Sequence, residues 1–303
     1  MNKWSRIAVL GSLSVLMVAG CGTSSTTIPD ASESLFTVGD TTVTKGDTYQ
    51  SLKIAYGPGI AIDEVNKQIY EKEVPVDDEI KQSAQSTLDM YKQMTGFAEQ
   101  LEANGYASEQ DYLDQILIPG VQAQELRKKY FTEAKDEIIA DFDPVLAVII
   151  QTDSEDNANK ALDALKEGVD AGKVGAQYAS ADATYTGLEQ IITTKTTDLP
   201  DALHNAILDA GKDGVLDQVF TNDTSTDDKV YYVASVVSTD YDANLSKIQS
   251  ALASDTQITS DVQVFYLKKY GFEVHDQYIF DYLKAMTPQY LVTRPDLSES
   301  SES

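Results

Sequence analysis

The pattern of the chain changes at Asp-Pro-Val-Leu-Ala-Val-Ile-Ile, residues 143–150. The six consecutive apolar residues that begin at Val145 are typical of a strand that is buried on both faces of its sheet. On either side, over residues 35–143 and 239–290, apolar residues recur mostly every three or four positions, which predicts helices. The sequence therefore predicts a small sheet within a mainly helical chain, an α+β fold.

Helices and further strands alternate after the run at Val145. The sequence predicts helices at Ser154–Glu167, Val174–Tyr178 and from Pro200 to Gly211, and strands at Leu188–Thr193, Leu216–Thr221 and Val230–Val237. The order strand–helix–helix–strand–helix–strand–strand predicts one compact α+β unit.

The flanks carry start and stop signals of their own. These are a hairpin at Leu35–Gly46, helix starts at Asp77 and Ser108, a kink or break at Pro119-Gly120, and a helical segment at Tyr241–Tyr270. An aromatic-rich segment continues the second flank to Tyr290.

The first residues of the chain are typical of an export signal. Lys3 and Arg6 precede an uncharged, apolar or small run at residues 7–20, which is short for a bilayer span of about 20 apolar residues. The run ends in Val-Ala-Gly directly before Cys21, the only cysteine of the chain, so an intramolecular disulfide is excluded. Residues 22–34 are rich in Ser, Thr, Ala and Asp and predict a flexible tether.

The Val-Ala-Gly-Cys junction resembles the lipobox of bacterial lipoproteins. The resemblance implies cleavage before Cys21 and a thioether-linked diacylglyceryl group on its sulfur. Two acyl chains make a stable anchor, since each buried CH₂ contributes about 0.8 kcal/mol. We therefore expect a chain anchored to the extracellular face of the cell membrane in a Gram-positive type of envelope. A plain signal peptide with a chance cysteine is the alternative.

The formal net charge of the chain is −26 at pH 7. So acidic a protein does not bind nucleic acid or anionic lipid by electrostatic attraction. It attracts cations or basic unfolded segments, unless the charge serves only solubility. A hydrophobic fraction of 42% is enough for a substantial core.

Short segments along the chain match, in order, those of one family. They are Phe36–Asp47, Leu101–Tyr112, Val145–Ile150, Ala161–Gly168, Tyr178–Asp182, Leu199–Leu203, Gln218–Thr221 and Tyr231–Val236. Their order and spacing resemble the PrsA-type foldase lipoproteins, in which a parvulin-like domain lies between two parts of a helical, SurA-like chaperone domain. Together with the lipobox, the resemblance covers nearly the whole chain after the signal.

The resemblance implies a division of the chain. It comprises a signal peptide (1–20), a lipidated tether (21–34), an N-terminal chaperone part (35–143), a parvulin-like α+β domain (144–238), a helical part that completes the chaperone domain (239–290) and a disordered tail (291–303).

The parvulin-like segment departs from the family at the positions that carry its chemistry. Active members resemble one another in two histidines at the floor of the pocket; here these positions are Ile149 and Tyr232. The apolar pocket positions become Leu203 and Ile207, and a glycine-rich turn is reduced to residues 186–189. Isomerising an X-Pro bond means crossing a barrier of about 20 kcal/mol by twisting the amide out of conjugation, and such a pocket lowers this barrier. Loss of both histidines predicts weak or absent isomerase activity.

Other chemistry is poorly represented. His204 and His275 fall on neither histidine position of the family, and we expect both at the surface. Two histidines and one lipidated cysteine exclude the usual zinc sites, and a serine hydrolase would need a histidine base. The acidic residues 153–157 are typical of a helix cap and lack the spacing of a calcium-binding EF-hand. We expect no metal and no cofactor.

We therefore expect an extracytoplasmic foldase or chaperone whose partners are unfolded exported proteins and, through its anchor, the cell membrane; a homodimer stays open. The first alternative is an active parvulin-type prolyl isomerase. The second is a solute-binding lipoprotein of a transporter, which would show repeated βαβ patterns in two lobes. Strands cluster in one central stretch instead, which disfavours this class.

Overall fold

The computed structural model describes residues 28–222 and 229–294, so the signal peptide, Cys21 and most of the expected tail lie outside the described residues. The strands are β1 (Ser34–Val38), β2 (Thr41–Thr44), β3 (Val145–Thr152), β4 (Thr186–Ile192), β5 (Gly214–Val215), β6 (Phe220–Thr221) and β7 (Tyr231–Ser238). The helices are α1 (Lys45–Glu73), α2 (Asp78–Tyr91), α3 (Phe97–Ala103), α4 (Glu109–Tyr112), α5 (Ile118–Glu133), α6 (Lys135–Phe142), α7 (Glu155–Lys166), α8 (Ala171–Tyr178), α9 (Asp201–Leu208), α10 (Leu245–Ala251), α11 (Thr256–Lys269) and α12 (Gln277–Met286). The predicted α+β, mainly helical fold is confirmed.

The described residues divide into two compact units, residues 28–62 with 272–294, and residues 63–222 with 229–271. The second unit groups the sheet with helices from both sides of it in sequence. The domain boundaries expected at 143/144 and 238/239 therefore stay a prediction.

The sheet of the second unit is antiparallel, in the order β4-β3-β7-β5, with β6 also paired to β7. The strand predicted from Val145 is confirmed as its centre. The single strand predicted at Leu216–Thr221 is wrong: the chain forms the two-residue strands β5 and β6 instead. The polar pair Asp217-Gln218 interrupts the alternation of apolar residues there, and the exposed Asp217 carboxylate binds Lys166.

Helices cover both faces of this sheet, which explains the unbroken apolar run in β3. On one face, Ile150 and Val233 pack with the buried side chains of α7 and α8. On the other face, Ile149 and Ala234 pack with α9. Alternate residues of β3 therefore serve two separate cores, and neither register leaves a polar face.

Helices from the two flanks contact each other within residues 63–271, as the split-domain prediction requires. The Tyr241 hydroxyl donates to the carbonyl of Phe131 at 2.8 Å, and Arg127 Nη1 donates to the carbonyl of Ala253 at 2.6 Å. Both contacts join segments that are more than 100 residues apart. Within this unit, segments from the two flanks therefore pack against each other.

Of the kink or break predicted at Pro119-Gly120, the break is wrong, because the chain passes this proline inside a helical path. Residues Leu113–Leu117 form a π-helical turn between α4 and α5, and the Ile118 N–H bonds to the carbonyl of Leu113, five residues back. Pro119 lies in the first turn of α5, where a missing N–H costs least. The wider turn lets the helical path continue.

A nearly buried carboxylate holds three helices of the second unit together. Glu73, the last residue of α1, binds Lys129 of α5 and lies 2.5 Å from Nζ of Lys269 on α11. The Tyr270 hydroxyl donates to it at 2.7 Å, and the Glu73 side chain is only 4% exposed. Burial opposes ionisation, but hydrogen bonds from Lys129, Lys269 and Tyr270 outweigh it and lower the pKa of Glu73 from 4.5 to about 2.

In the first unit, residues just before β1 bind the start of α1 through the backbone. The N–H groups of Lys45 and Gly46 donate to the carbonyls of Glu33 and Ala31 at 2.9 and 2.8 Å. The chain is therefore fixed to the start of α1 before residue 34. Near the other end of the described residues, Leu291 is buried and its N–H donates to the carbonyl of Pro288.

Helix α1 contains Pro58, which has no N–H to donate to the carbonyl of Ile54 four residues back. The Tyr278 hydroxyl of α12 donates to that carbonyl at 3.0 Å instead. Lys53 of α1 also binds Asp276, the N-cap of α12, at 3.0 Å. A side chain from the far end of the sequence thus satisfies the acceptor that the proline leaves free.

We expect Glu73→Gln to lower the free energy of unfolding by about 2 kcal/mol at pH 7, because it leaves two lysines without their carboxylate. Since the pKa of Glu73 is lowered on folding, its contribution is complete above about pH 5 and is lost as the pH falls from 4.5 towards 2. Urea denaturation of both proteins at several pH values measures the difference.

The matched control is Glu125→Gln, which removes only an exposed pair with Lys128 and should cost less than about 0.5 kcal/mol. An equal loss for both variants, or a difference independent of pH, would contradict this role of Glu73.

Candidate functional site

The four positions predicted for the parvulin-like pocket come together on one face of the sheet. Ile149 lies on β3, Tyr232 on β7, and Leu203 and Ile207 on α9, and all belong to one apolar cluster. Tyr232 pairs with Gln151 across the strands, so it is the diagonal neighbour of Ile149 on the same face. Leu203 and Ile207 are one helical turn apart and both face the sheet.

These four side chains lie in a closed apolar core. Ile149, Leu203 and Ile207 are each 0% exposed, and Tyr232 is 7% exposed. A proline ring could enter only if one of them moved out of the core. The cluster therefore acts as packing, and no residue in it is a nucleophile or a base at neutral pH.

Tyr185 is a member of this cluster that sequence reasoning missed. Its ring meets the Tyr232 ring edge to face, with centroids 6.5 Å apart. Burial, together with a hydrogen bond to Asp198, raises the pKa of the Tyr185 phenol, and burial with the nearby Asp198 charge raises that of Tyr232. Both phenols are neutral donors at pH 7. A lone aromatic residue just before a strand gives no periodic signal by which it could have been found.

The two histidines lie outside the cluster, and only one is where we expected it. His275 is exposed. His204 is half-buried, and its Nε2 lies 2.8 Å from the carbonyl of Thr193. The surface position expected for His204 is wrong because the start of α9 turns this face towards the end of β4. The contact fixes the helix to the strand.

The glycine that remains in the reduced turn is required by packing. Gly187 has φ +83°, and a Cβ there would lie 2.1 Å from the carbonyl oxygen of Ala171 on α8. A Cβ on Gly175 would lie 1.9 Å from the carbonyl oxygen of Thr186. Helix α8 therefore touches β4 backbone to backbone. The turn therefore allows α8 to pack closely against the sheet.

An apolar stripe runs along the exposed N-terminal half of α1. Tyr49, Leu52, Tyr56 and Ile60 follow each other at helical spacing and are 44–61% exposed. The hairpin of the same unit exposes Leu35, Phe36 and Val38 as well. We call the four helical residues the α1 stripe. A monomeric soluble protein seldom leaves so much apolar surface without a use.

An open cleft of about 880 Å³ lies in the second unit. Its walls are the C-terminal half of α1, at residues 63–71, and the π turn with the start of α5, at residues 114–123. The Gln122 amide donates to the carbonyl of Val74 at 2.7 Å and joins the two walls.

Within the described residues, no group of three or more His, Cys, Asp or Glu side chains is arranged to hold a metal ion. No helix in that part of the chain combines the length and the apolar character that crossing a membrane requires.

Comparison with known proteins shows which proteins the chain is similar to. No family model matches the chain. Foldase protein PrsA of Streptococcus mutans serotype c is 32% identical over 146 residues, which is 46% of this chain and 42% of that protein. Foldase protein PrsA of Streptococcus sanguinis is 28% identical over 284 residues, which is 87% of this chain and 82% of that protein. The chain is therefore similar in sequence to PrsA-type foldases.

Among solved structures, the PrsA peptidylprolyl isomerase of Bacillus cereus is similar with a TM-score of 0.45 and 18% identity, covering 85% of this chain and 99% of that one. The match with the S. mutans protein spans less than half of that relative. The activity and clients of the whole S. mutans protein are therefore only proposals for this chain.

Proposed function

We propose that this chain is a membrane-anchored chaperone that holds exported proteins while they fold outside the cytoplasm. Similarity to foldases over 87% of its length supports the general role. The observation that carries the proposal is the α1 stripe, which leaves four large apolar side chains in water. Unfolded proteins expose apolar segments of their own, and joining the two surfaces removes both from water.

The stripe suits transient holding. Two of its members are tyrosines, which give a broad contact area at a small entropy cost. Burying apolar area contributes about 25 cal/mol per Å² before the costs of association are subtracted, so a short stripe binds weakly and releases its client.

The purified chain should suppress the aggregation of an unfolded exported protein, measured by light scattering after dilution from urea. The triple variant Leu52→Gln, Tyr56→Gln, Ile60→Gln should lose most of this effect, because it removes the apolar stripe.

The matched control is Met90→Gln, Met94→Gln, Met286→Gln, which changes three apolar residues of similar exposure, 60–64%, elsewhere on the surface. If both triple variants suppress aggregation as well as the unchanged chain, the α1 stripe is not the holding surface. If the unchanged chain does not suppress it, the proposed function is wrong.

We further infer that the chain has little prolyl isomerase activity. The filled cluster around Ile149 and the absence of a histidine from it support this inference. A chromogenic prolyl-peptide assay should give a rate within about 2-fold of the uncatalysed rate. Ile149→Ala should cost about 2–4 kcal/mol of stability, because it creates a cavity in a closed core. The exposed control Leu188→Ala should cost less than about 0.5 kcal/mol. Strong catalysis that Ile149→Ala abolishes would establish the alternative, an active isomerase.

The anchor that we propose is a diacylglyceryl group on Cys21, as the sequence before it implies. In cells, Cys21→Ser should move the chain from the membrane fraction to the medium, because the only attachment point is removed. An unchanged membrane fraction for Cys21→Ser would contradict the anchor.

A solute-binding lipoprotein is disfavoured by the architecture. The described residues carry one antiparallel sheet and one hairpin, whereas that class builds two lobes from parallel βαβ units.

A further inference from the structure

The cleft between residues 63–71 and 114–123 combines an apolar lining with an uncompensated negative charge. Along α1, its wall carries Asp63, Lys67 and Tyr70, which follow at helical spacing, with Glu64 and Glu71 beside them. Asp114 lies on the opposite wall. Four carboxylates and one ammonium thus line the cleft within the described structure.

None of these carboxylates takes part in a salt bridge among the described residues. Asp114 accepts a hydrogen bond only from the neutral amide of Gln110, at 2.9 Å. A second cleft of about 750 Å³ differs in part, because two of its four carboxylates, Glu73 and Glu125, are bound to Lys129 and Lys128. The negative charge of the first cleft is therefore free to act on a ligand.

Apolar side chains lie between these charges. Ile116 and Val76 are 41% and 43% exposed, and Ile118, Pro119 and Tyr70 complete the lining. Asp114 and Ile116 belong to the π turn that Pro119 follows. Turns of this kind occur often at functional sites, because they alter which side chains a helix presents.

We infer that this cleft docks extended client segments in which basic side chains alternate with apolar ones. The inference rests on the proposed chaperone function and names the client chemistry for one surface. A lysine or arginine of the segment pairs with Glu64, Glu71 or Asp114, while its apolar neighbours cover Ile116 and Val76. The volume, about 880 Å³, lies within the range of about 300–1,000 Å³ typical of ligand clefts.

The charge complementarity points to this occupant. Each carboxylate of the cleft that forms no salt bridge among the described residues can pair with a lysine or arginine of the client. The net charge of −26 also raises the local concentration of basic segments. A second copy of the same acidic chain, or an anionic lipid surface, would be repelled.

The test measures the binding of fluorescently labelled peptides to the purified full chain by anisotropy. One peptide alternates leucine with lysine over about 12 residues, which extend to about 40 Å. A second peptide replaces every lysine with glutamine. The lysine peptide should bind about 10-fold more tightly in low salt, and this advantage should largely vanish near 1 M salt, where charges are screened within about 3 Å.

Glu64→Gln, Glu71→Gln, Asp114→Asn should remove the advantage of the lysine peptide. The control variant Asp163→Asn, Glu167→Gln, Asp182→Asn removes the same charge from exposed positions remote in sequence and should retain it. Ile116→Gln should weaken both peptides equally, whereas Leu188→Gln, at an exposed apolar residue outside the cleft, should weaken neither.

The outcomes separate the cleft from the general function. If both triple variants behave alike, or the two peptides bind equally, the docking inference is wrong, while suppression of aggregation by the unchanged chain keeps the chaperone function. If suppression fails as well, the proposed function falls with it. Retention of the advantage by the control alone, together with the effect of Ile116→Gln, supports the cleft.

Discussion

The Glu73 carboxylate is the constraint on which the helical part of the second unit depends. It is almost removed from water, yet it stays ionised because two ammonium groups and a phenol donate to it. Its partners come from helices on both sides of the sheet in sequence, α5 and α11. The ion pairs of Glu73 thus fix the end of α1 against α5. The walls of the acidic cleft are formed by α1 on one side and by the π turn with the start of α5 on the other.

The molecule uses its apolar residues in two opposite ways. In the sheet, Ile149 and the α9 side chains pack into a closed core, so their buried apolar area contributes to stability. On α1, the side chains of the stripe are 44–61% exposed and leave much of their apolar area in water. Catalysis needs a shaped, preorganised cavity, whereas holding an unfolded chain needs only accessible surface. This distribution of apolar side chains agrees with the proposed function, a chaperone that holds clients and has little isomerase activity.

Sequence reasoning succeeded where one local rule acts alone. The run at Val145 gave the central strand, and Ser154 and Ser108 cap their helices as their spacing predicts. It failed where distant groups change the local preference. Pro119 by itself suggested a kink or break. The π turn before it, which lets the helical path continue, leaves no pattern in the sequence. The cleft brings together charges from two separate helices, and nothing within either helix indicates that they lie opposite each other.

The hydrogen bond from Tyr278 to Ile54 has a consequence for the order of assembly. A ribosome makes residue 54 long before residue 278, and until Tyr278 exists, the gap that Pro58 makes in its helix can be bridged only by water. Helix α1 is therefore among the last elements to mature, which defers completion of the first unit until nearly the whole polypeptide is available.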